Sequence, residues 1–242
     1  MFQLKSVGPK LVPFFKTVVI FFILFPDNSS LESFFYCAIK CLPIVSLMVF
    51  VLLHGMNFSA AYSYSRKILL GLFFSMLGDA FLVWKSKGYF IHGTLMFAIA
   101  QALYASAFGF RPFKAKVGAG CFALGAMVYS FLLPGLSGPM VYIVAMYITL
   151  ILTMTWRSIA RVKFYNDLWT WTKLVSCMGA ISFMMSDLLI AVDKFRFTVP
   201  YSHPLIMSTY YAAQLGIAMS VVDSQVDDLI RATAPSDAVI ED

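Results

Sequence analysis

The chain has 242 residues, 60% hydrophobic and only 12% charged, with 24 Phe, a net charge of +6 and a mean hydropathy of +0.81. A soluble domain carries about 25% charged residues, and a fold of this size must expose much of its surface to water. The composition therefore excludes an ordinary globular protein, a disordered chain and a nucleic-acid binder. The apolar runs are continuous rather than alternating, so the expected fold class is all-α, a polytopic membrane bundle of about eight transmembrane helices, not a β-barrel.

Cut at charges and turn residues, the runs fall at 11–25, 34–54, 67–84, 89–110, 117–133, 139–156, 169–192 and 203–222. A crossing needs about 20 residues, and the first, fifth and sixth runs are short of that. The first has the outline of a signal peptide, with Lys5 and Lys10 ahead of it. Lys16 interrupts it and no small-x-small cleavage site follows, so it reads as a retained helix. Links such as Lys85-Ser86-Lys87-Gly88 and Pro134-Gly135-Leu136-Ser137-Gly138-Pro139 are too short for anything but antiparallel neighbours. This is a single transmembrane domain over residues 1–225, followed by an acidic cytosolic tail at 226–242.

Basic residues set the orientation. Lys5, Lys10, Arg66, Lys67, Arg111, Lys114, Lys116, Arg157, Arg161, Lys163 and Arg231 fall on the side of the N-terminus. Lys85, Lys87, Lys194 and Arg196 fall on the other, which predicts that both termini are cytosolic. Asn28-Ser29-Ser30 is a glycosylation sequon on the far side, too near the membrane to be used. The cysteines Cys37, Cys41, Cys121 and Cys177 sit inside apolar runs as small hydrophobes. Cys37 and Cys41 share a helix face, yet two thiols make a poor zinc site, so no metal is expected.

The informative residues are polar groups inside the spans. Asp79 and Asp187 lie within the third and seventh runs, where an aspartate costs about 3 kcal/mol at mid-span even on the lenient insertion scale. Those two helices run parallel. Asp79 precedes Trp84, and Asp187 precedes Val192, by the same interval, so the two carboxyls are expected at similar depth near the far end. Each follows a small residue, Gly78 or Ser186, that permits close approach. Gln101 and Tyr104 share a face of the fourth helix, and Tyr211 and Gln214 a face of the eighth. This suggests a weak repeat in which Asp79 goes with Tyr104 and Asp187 with Tyr211. His92 and His203 begin the fourth and eighth helices on the far side, close in depth to the aspartates, and Lys40, near the far end of the second, is within reach of them. As a set these residues imply a polar cavity inside the bundle; singly, each also reads as an interface residue, with Lys40 snorkelling to head groups.

Several segments resemble the YhhN-like lysoplasmalogenase family, its animal members above all. They are Leu77-Gly78-Asp79-Ala80-Phe81-Leu82, Tyr89-Phe90-Ile91-His92-Gly93-Thr94, Gln101-Ala102-Leu103-Tyr104, Lys40-Cys41-Leu42-Pro43, Ser186-Asp187-Leu188 and Tyr210-Tyr211-Ala212-Ala213-Gln214. The resemblance runs from Gly8 to about Asp223. It departs at Gln101, where the family often has His; Gln keeps the hydrogen bonds but carries no proton near neutral pH, which favours a positioning role. The resemblance implies an eight-helix hydrolase of the endoplasmic reticulum membrane, acting on a lysophospholipid within the bilayer. It would cleave the vinyl ether bond of lysoplasmalogens to a fatty aldehyde and a glycerophospho-base.

Two carboxyls suit that reaction. A vinyl ether is basic at its β-carbon, and protonation there gives an oxocarbenium ion that water attacks. The chemistry needs one acid kept protonated and one carboxylate kept ionised, as in glycosidases, with no cofactor. Asp79 and Asp187 are the expected catalytic residues, with Lys40, His92, Gln101, Tyr104, Tyr211 and Gln214 on the substrate. Gly78 beside Asp79 inclines the acid's role to Asp79, while oligomeric state and head-group preference stay open. A transporter or lipid-binding receptor using the same acids as ligands is the alternative. An intramembrane aspartyl protease is disfavoured: its Gly-x-Gly-Asp signature needs Gly where Met76 stands.

Overall fold

The computed structural model describes residues 2–26, 32–54, 62–162 and 170–222. Among these are eight α-helices and no strand: α1 (Phe2–Leu24), α2 (Phe34–Leu53), α3 (Ser63–Val83), α4 (Phe90–Phe108), α5 (Ala115–Leu132), α6 (Met140–Ala160), α7 (Thr170–Phe195) and α8 (Ser202–Met219). The sequon at 28–30 and the tail at 226–242 lie outside the described residues. Each expected run lies on one helix. The corrections are at the ends: α1 begins at Phe2 and continues through Pro9 and Pro13, and α7 extends to Phe195. By length and composition, six helices are apolar enough to cross a membrane, α3 and α8 being the exceptions. The reason is positional. α3 and α8 carry the polar interior, and between them they touch α2, α4 and α7.

Contacts define two ends. At one, basic side chains meet the carbonyl-rich C-termini of helices: Lys10 Nζ donates to Leu53 O (3.4 Å), Lys67 Nζ to Ser106 O (3.2 Å) and Lys114 Nζ to Val162 O (3.1 Å). Such pairings complement the helix dipole. Arg157, expected in a loop, instead belongs to the last turn of α6 and is fully buried. Its Nε donates to Gly109 O (2.6 Å) and its Nη2 to Pro112 O (3.1 Å), which fastens the α4–α5 link to α6. At the opposite end, Ser86 and Lys87 meet Glu32, Phe34 packs on Trp84, and Gly135 lies against the backbone of Phe195.

Two helical hairpins, α3–α4 and α7–α8, form the most tightly packed pairs. In α7–α8, a Cβ on Gly179 would stand 2.8 Å from Ala213 O, and one on Gly216 2.7 Å from Val175 O. Only hydrogen at these two positions lets the backbones approach so closely, the small-residue packing expected where lipid removes the hydrophobic drive between helices. In α3–α4, Gly78 faces the Phe97 ring. The space beside Gly78 therefore admits Phe97, not a substrate, which removes the sequence-based reason for preferring Asp79 as the acid.

Candidate active site

The two aspartates are held by the opposite hairpins. Asp79 of α3 accepts from Tyr210 OH of α8 (2.5 Å), and Asp187 of α7 accepts from Gln101 Nε2 of α4 (3.0 Å). Tyr104 OH of α4 donates to Gln214 Oε1 of α8 (2.9 Å) between them. The aspartate of each hairpin thus bonds to the other hairpin, and α4 and α8 turn their polar faces to one another. Asp79 lies four residues from the end of α3 and Asp187 eight from the end of α7, about 6 and about 12 Å at 1.5 Å per residue.

Their surroundings differ more. Asp79 is 2% exposed and both its oxygens are taken: Oδ1 stands 3.2 Å from Lys40 Nζ, and Oδ2 accepts from Tyr210. Lys40 is itself buried, so it does not snorkel to head groups. Its backbone carbonyl accepts from Tyr211 OH (2.9 Å), which fixes α2 against α8. Asp187 is partly accessible. Its Oδ2 accepts from both Gln101 and Tyr147 OH of α6 (2.5 Å), while Oδ1 makes no hydrogen bond to any described residue.

Asp187 and Tyr147 line a cavity of about 270 Å³ between α4, α5, α6 and α7. Its other walls are almost wholly apolar, with Thr94 the remaining polar side chain. Asp79 does not border it. Near the far end α5 and α7 close on one another through Leu132, Leu136, Ala191 and Phe195. Further in they part, and Leu124 of α5 (47% exposed) and Met185 of α7 (43%) both line the cavity and face outward. The cavity is thus accessible sideways, through the lipid-facing wall.

Of the residues singled out from sequence, the structure brings together Asp79 with Lys40, and Asp187 with Gln101. It places Tyr104 and Gln214 in the buried layer between the hairpins, and Tyr211 against Phe21 and Phe22 of α1 and the Lys40 carbonyl of α2. His92 stands apart, on the exposed face of α4 beside Phe81 and Tyr89, because its position on the helix turns it away from α7. His203 pairs with Tyr36 OH (3.0 Å). Sequence reasoning missed Tyr147 and Tyr210. The available signal was a phenol in mid-span, which needs a partner where no water reaches. Among the described residues no group of side chains is suited to a metal ion.

The fold and the site define an all-helical, multi-pass membrane protein with a carboxyl-bearing cavity reached from lipid. The YhhN family profile matches residues 35–221. Lysoplasmalogenase TMEM86A of Bos taurus is 49% identical over 221 residues, 91% of this chain and 92% of that protein, and its Homo sapiens counterpart is 48% identical over 221 residues. Lysoplasmalogenase TMEM86B of Sus scrofa is 34% identical over 223 residues, 92% of this chain and 90% of that protein. No solved structure matches. The chain belongs to the YhhN family.

Proposed function

We propose that this protein is a lysoplasmalogenase, a membrane hydrolase that cleaves the vinyl ether of 1-alkenyl-glycerophosphoethanolamine or -choline to a fatty aldehyde and the glycerophospho-base. Asp187 is its catalytic carboxyl; Asp79, the other member of the expected pair, is held by Lys40 and acts on the reaction through its charge, and Gln101, Tyr104 and Gln214 form the polar layer between them, with Tyr211 bracing α8 against α2. The observation that carries this reading is a carboxyl, Asp187, set in an apolar cavity that opens to lipid. Such a cavity receives a hydrocarbon chain and brings the first bonds of that chain to an acid. The high identity to relatives bearing the lysoplasmalogenase name along nine-tenths of the chain supports the same conclusion.

The substrate enters between α5 and α7 with its vinyl ether at Asp187. Its head group points to the far end, where Lys194 Nζ stands 4.2 Å from the centre of the Phe90 ring on the cavity wall. Lys194 replaces Lys40 and His92 as the residue to meet the phosphate, because Lys40 is committed to Asp79 and His92 faces away. The chemistry needs water and no cofactor. The protein crosses the endoplasmic reticulum membrane eight times as one domain over residues 1–225, with its basic end and both termini in the cytosol.

The test is aldehyde release by purified protein. Lysoplasmalogens should be hydrolysed, two-chain plasmalogens poorly and ester lysolipids not at all. Saturable binding of lysoplasmalogen without any aldehyde would replace the enzyme by a carrier or receptor, and cleavage of ester lysolipids would refute a vinyl-ether-specific site.

A further inference from the structure

The two oxygens of Asp187 are unlike. Oδ2 accepts from two donors, Tyr147 OH at 2.5 Å and Gln101 Nε2 at 3.0 Å, while Oδ1 is unbonded on a side chain that borders the cavity. A neutral carboxyl has one O–H, and two N–H or O–H groups aimed at one oxygen oppose a proton there. The proton of a neutral Asp187 therefore sits on Oδ1, on the side of the cavity. No cation pairs with Asp187 among the described residues, and an isolated carboxylate against an apolar wall is far costlier than the neutral acid. Asp79 has the contrary surroundings: a lysine on Oδ1, a phenol on Oδ2 and no cavity. Two carboxyls with environments this different take different protonation states and different tasks.

We propose that Asp187 is the proton donor, acting through Oδ1, and that Tyr147 is the positioning residue that keeps the proton on that oxygen, with Gln101 assisting. The inference rests on the vinyl-ether reading above and assigns its roles. In the step, the Oδ1–H bond breaks and the π pair of the vinyl ether forms a C–H bond at the β-carbon. The α-carbon and ether oxygen are left as an oxocarbenium ion. A water oxygen bonds to the α-carbon, and its proton returns to the Asp187 carboxylate. The hemiacetal so formed breaks its bond to the glycerol oxygen, which takes the hydroxyl proton, releasing aldehyde and glycerophospho-base. Asp79, ionised beside Lys40, supplies fixed charge and does not touch the substrate.

The experiment compares wild type, Asp187→Asn, Tyr147→Phe and Gln101→Leu, with Met146→Leu on the lipid face of α6 as control. Turnover of lysoplasmalogen is measured beside binding of the saturated alkyl-ether lysolipid, which has no double bond to protonate. Asp187→Asn should bind the alkyl-ether lipid as wild type does and lose at least about a hundredfold in kcat, the scale of a lost general acid. Tyr147→Phe should lower kcat about tenfold or more with KM and alkyl-ether binding unchanged, as loss of a charge-assisted hydrogen bond at the acid predicts. It should also enlarge the solvent deuterium isotope effect on kcat, which a merely structural role leaves alone. If Tyr147→Phe does not fold, Gln101→Leu is read in its place. Wild-type kcat in folded Asp187→Asn, or an unchanged kcat and isotope effect in both Tyr147→Phe and Gln101→Leu, overturns the assignment. Failure of the parent reading looks different: wild type itself releases no aldehyde, or the aldehyde formed in heavy water carries no deuterium beside its carbonyl.

Discussion

Lys40 Nζ lies 3.2 Å from Asp79 Oδ1, and the two side chains are 8% and 3% exposed. A lysine and an aspartate removed from water together compensate one another, but neither is tolerated alone in such a place. This pair joins α2 to α3 within the polar interior. It accounts for an intramembrane charge on each helix without any contact to substrate.

The first prediction is for stability. Asp79→Asn leaves the Lys40 ammonium buried without a counter-ion and should cost about 3–5 kcal/mol. Reading Asp79 as an unpaired carboxylate would predict no loss, since its replacement would relieve a burial cost. Thermal unfolding in detergent distinguishes the two. Asp79→Asn should melt well below wild type, and adding Lys40→Met should recover most of the difference. A melting temperature for Asp79→Asn equal to that of wild type contradicts the pairing.

Asp187→Asn should behave in the opposite way. The Asn side chain keeps an oxygen for Tyr147 and Gln101, no lysine is orphaned, and the fold should melt at or above the wild-type temperature. Activity should nevertheless fall by about two orders of magnitude or more. Once Asp187 is gone, adding Asp79→Asn should lower kcat little further, the non-additivity of groups that serve one step. Losses that multiply in the double variant point instead to two independent carboxylates.

The lateral opening predicts a third result. Leu124 and Met185 line the cavity and face lipid, so Leu124→Trp or Met185→Trp should obstruct the passage of a chain. We expect KM for lysoplasmalogen to rise about tenfold, near 1.4 kcal/mol of lost binding, with stability unchanged. Met127 lies on the same helix, 70% exposed and away from the cavity, and Met127→Trp should have no such effect. Equal KM values for all three variants place the route elsewhere.

The fourth prediction concerns orientation. The turn at 133–138 lies at the end away from the basic cluster, and Arg157 at the other. A glycosylation acceptor in a lengthened 134–138 loop should be modified in microsomes, and one between α6 and α7, at 161–169, should not. The reverse pattern would put the basic end in the lumen, against the rule that cytosolic loops collect Lys and Arg.

How much of this the chain announces by itself depends on the kind of information involved. The number and position of the helices follow from the cost of placing each residue in lipid, which is summed along the chain. That is why the eight runs coincide with eight helices and why Asp79 and Asp187 stand out. Gln101, Tyr104, Tyr211 and Gln214 were legible for the same reason: a polar group in mid-span must turn inward. Partner choice is not a property of one residue. It depends on which helices adjoin and how each is rotated about its axis, and only the packed bundle decides that. Thus Lys40, within reach of either aspartate, takes Asp79, Tyr210 meets that same carboxyl from α8, and Gln101 crosses to Asp187. His92 is turned to the exposed face of α4, whereas Tyr147, on a helix that carries no acid, completes the Asp187 site. The cavity arises in the same way, from α5 and α7 parting below Leu132, a gap between helices distant in sequence that no local pattern encodes.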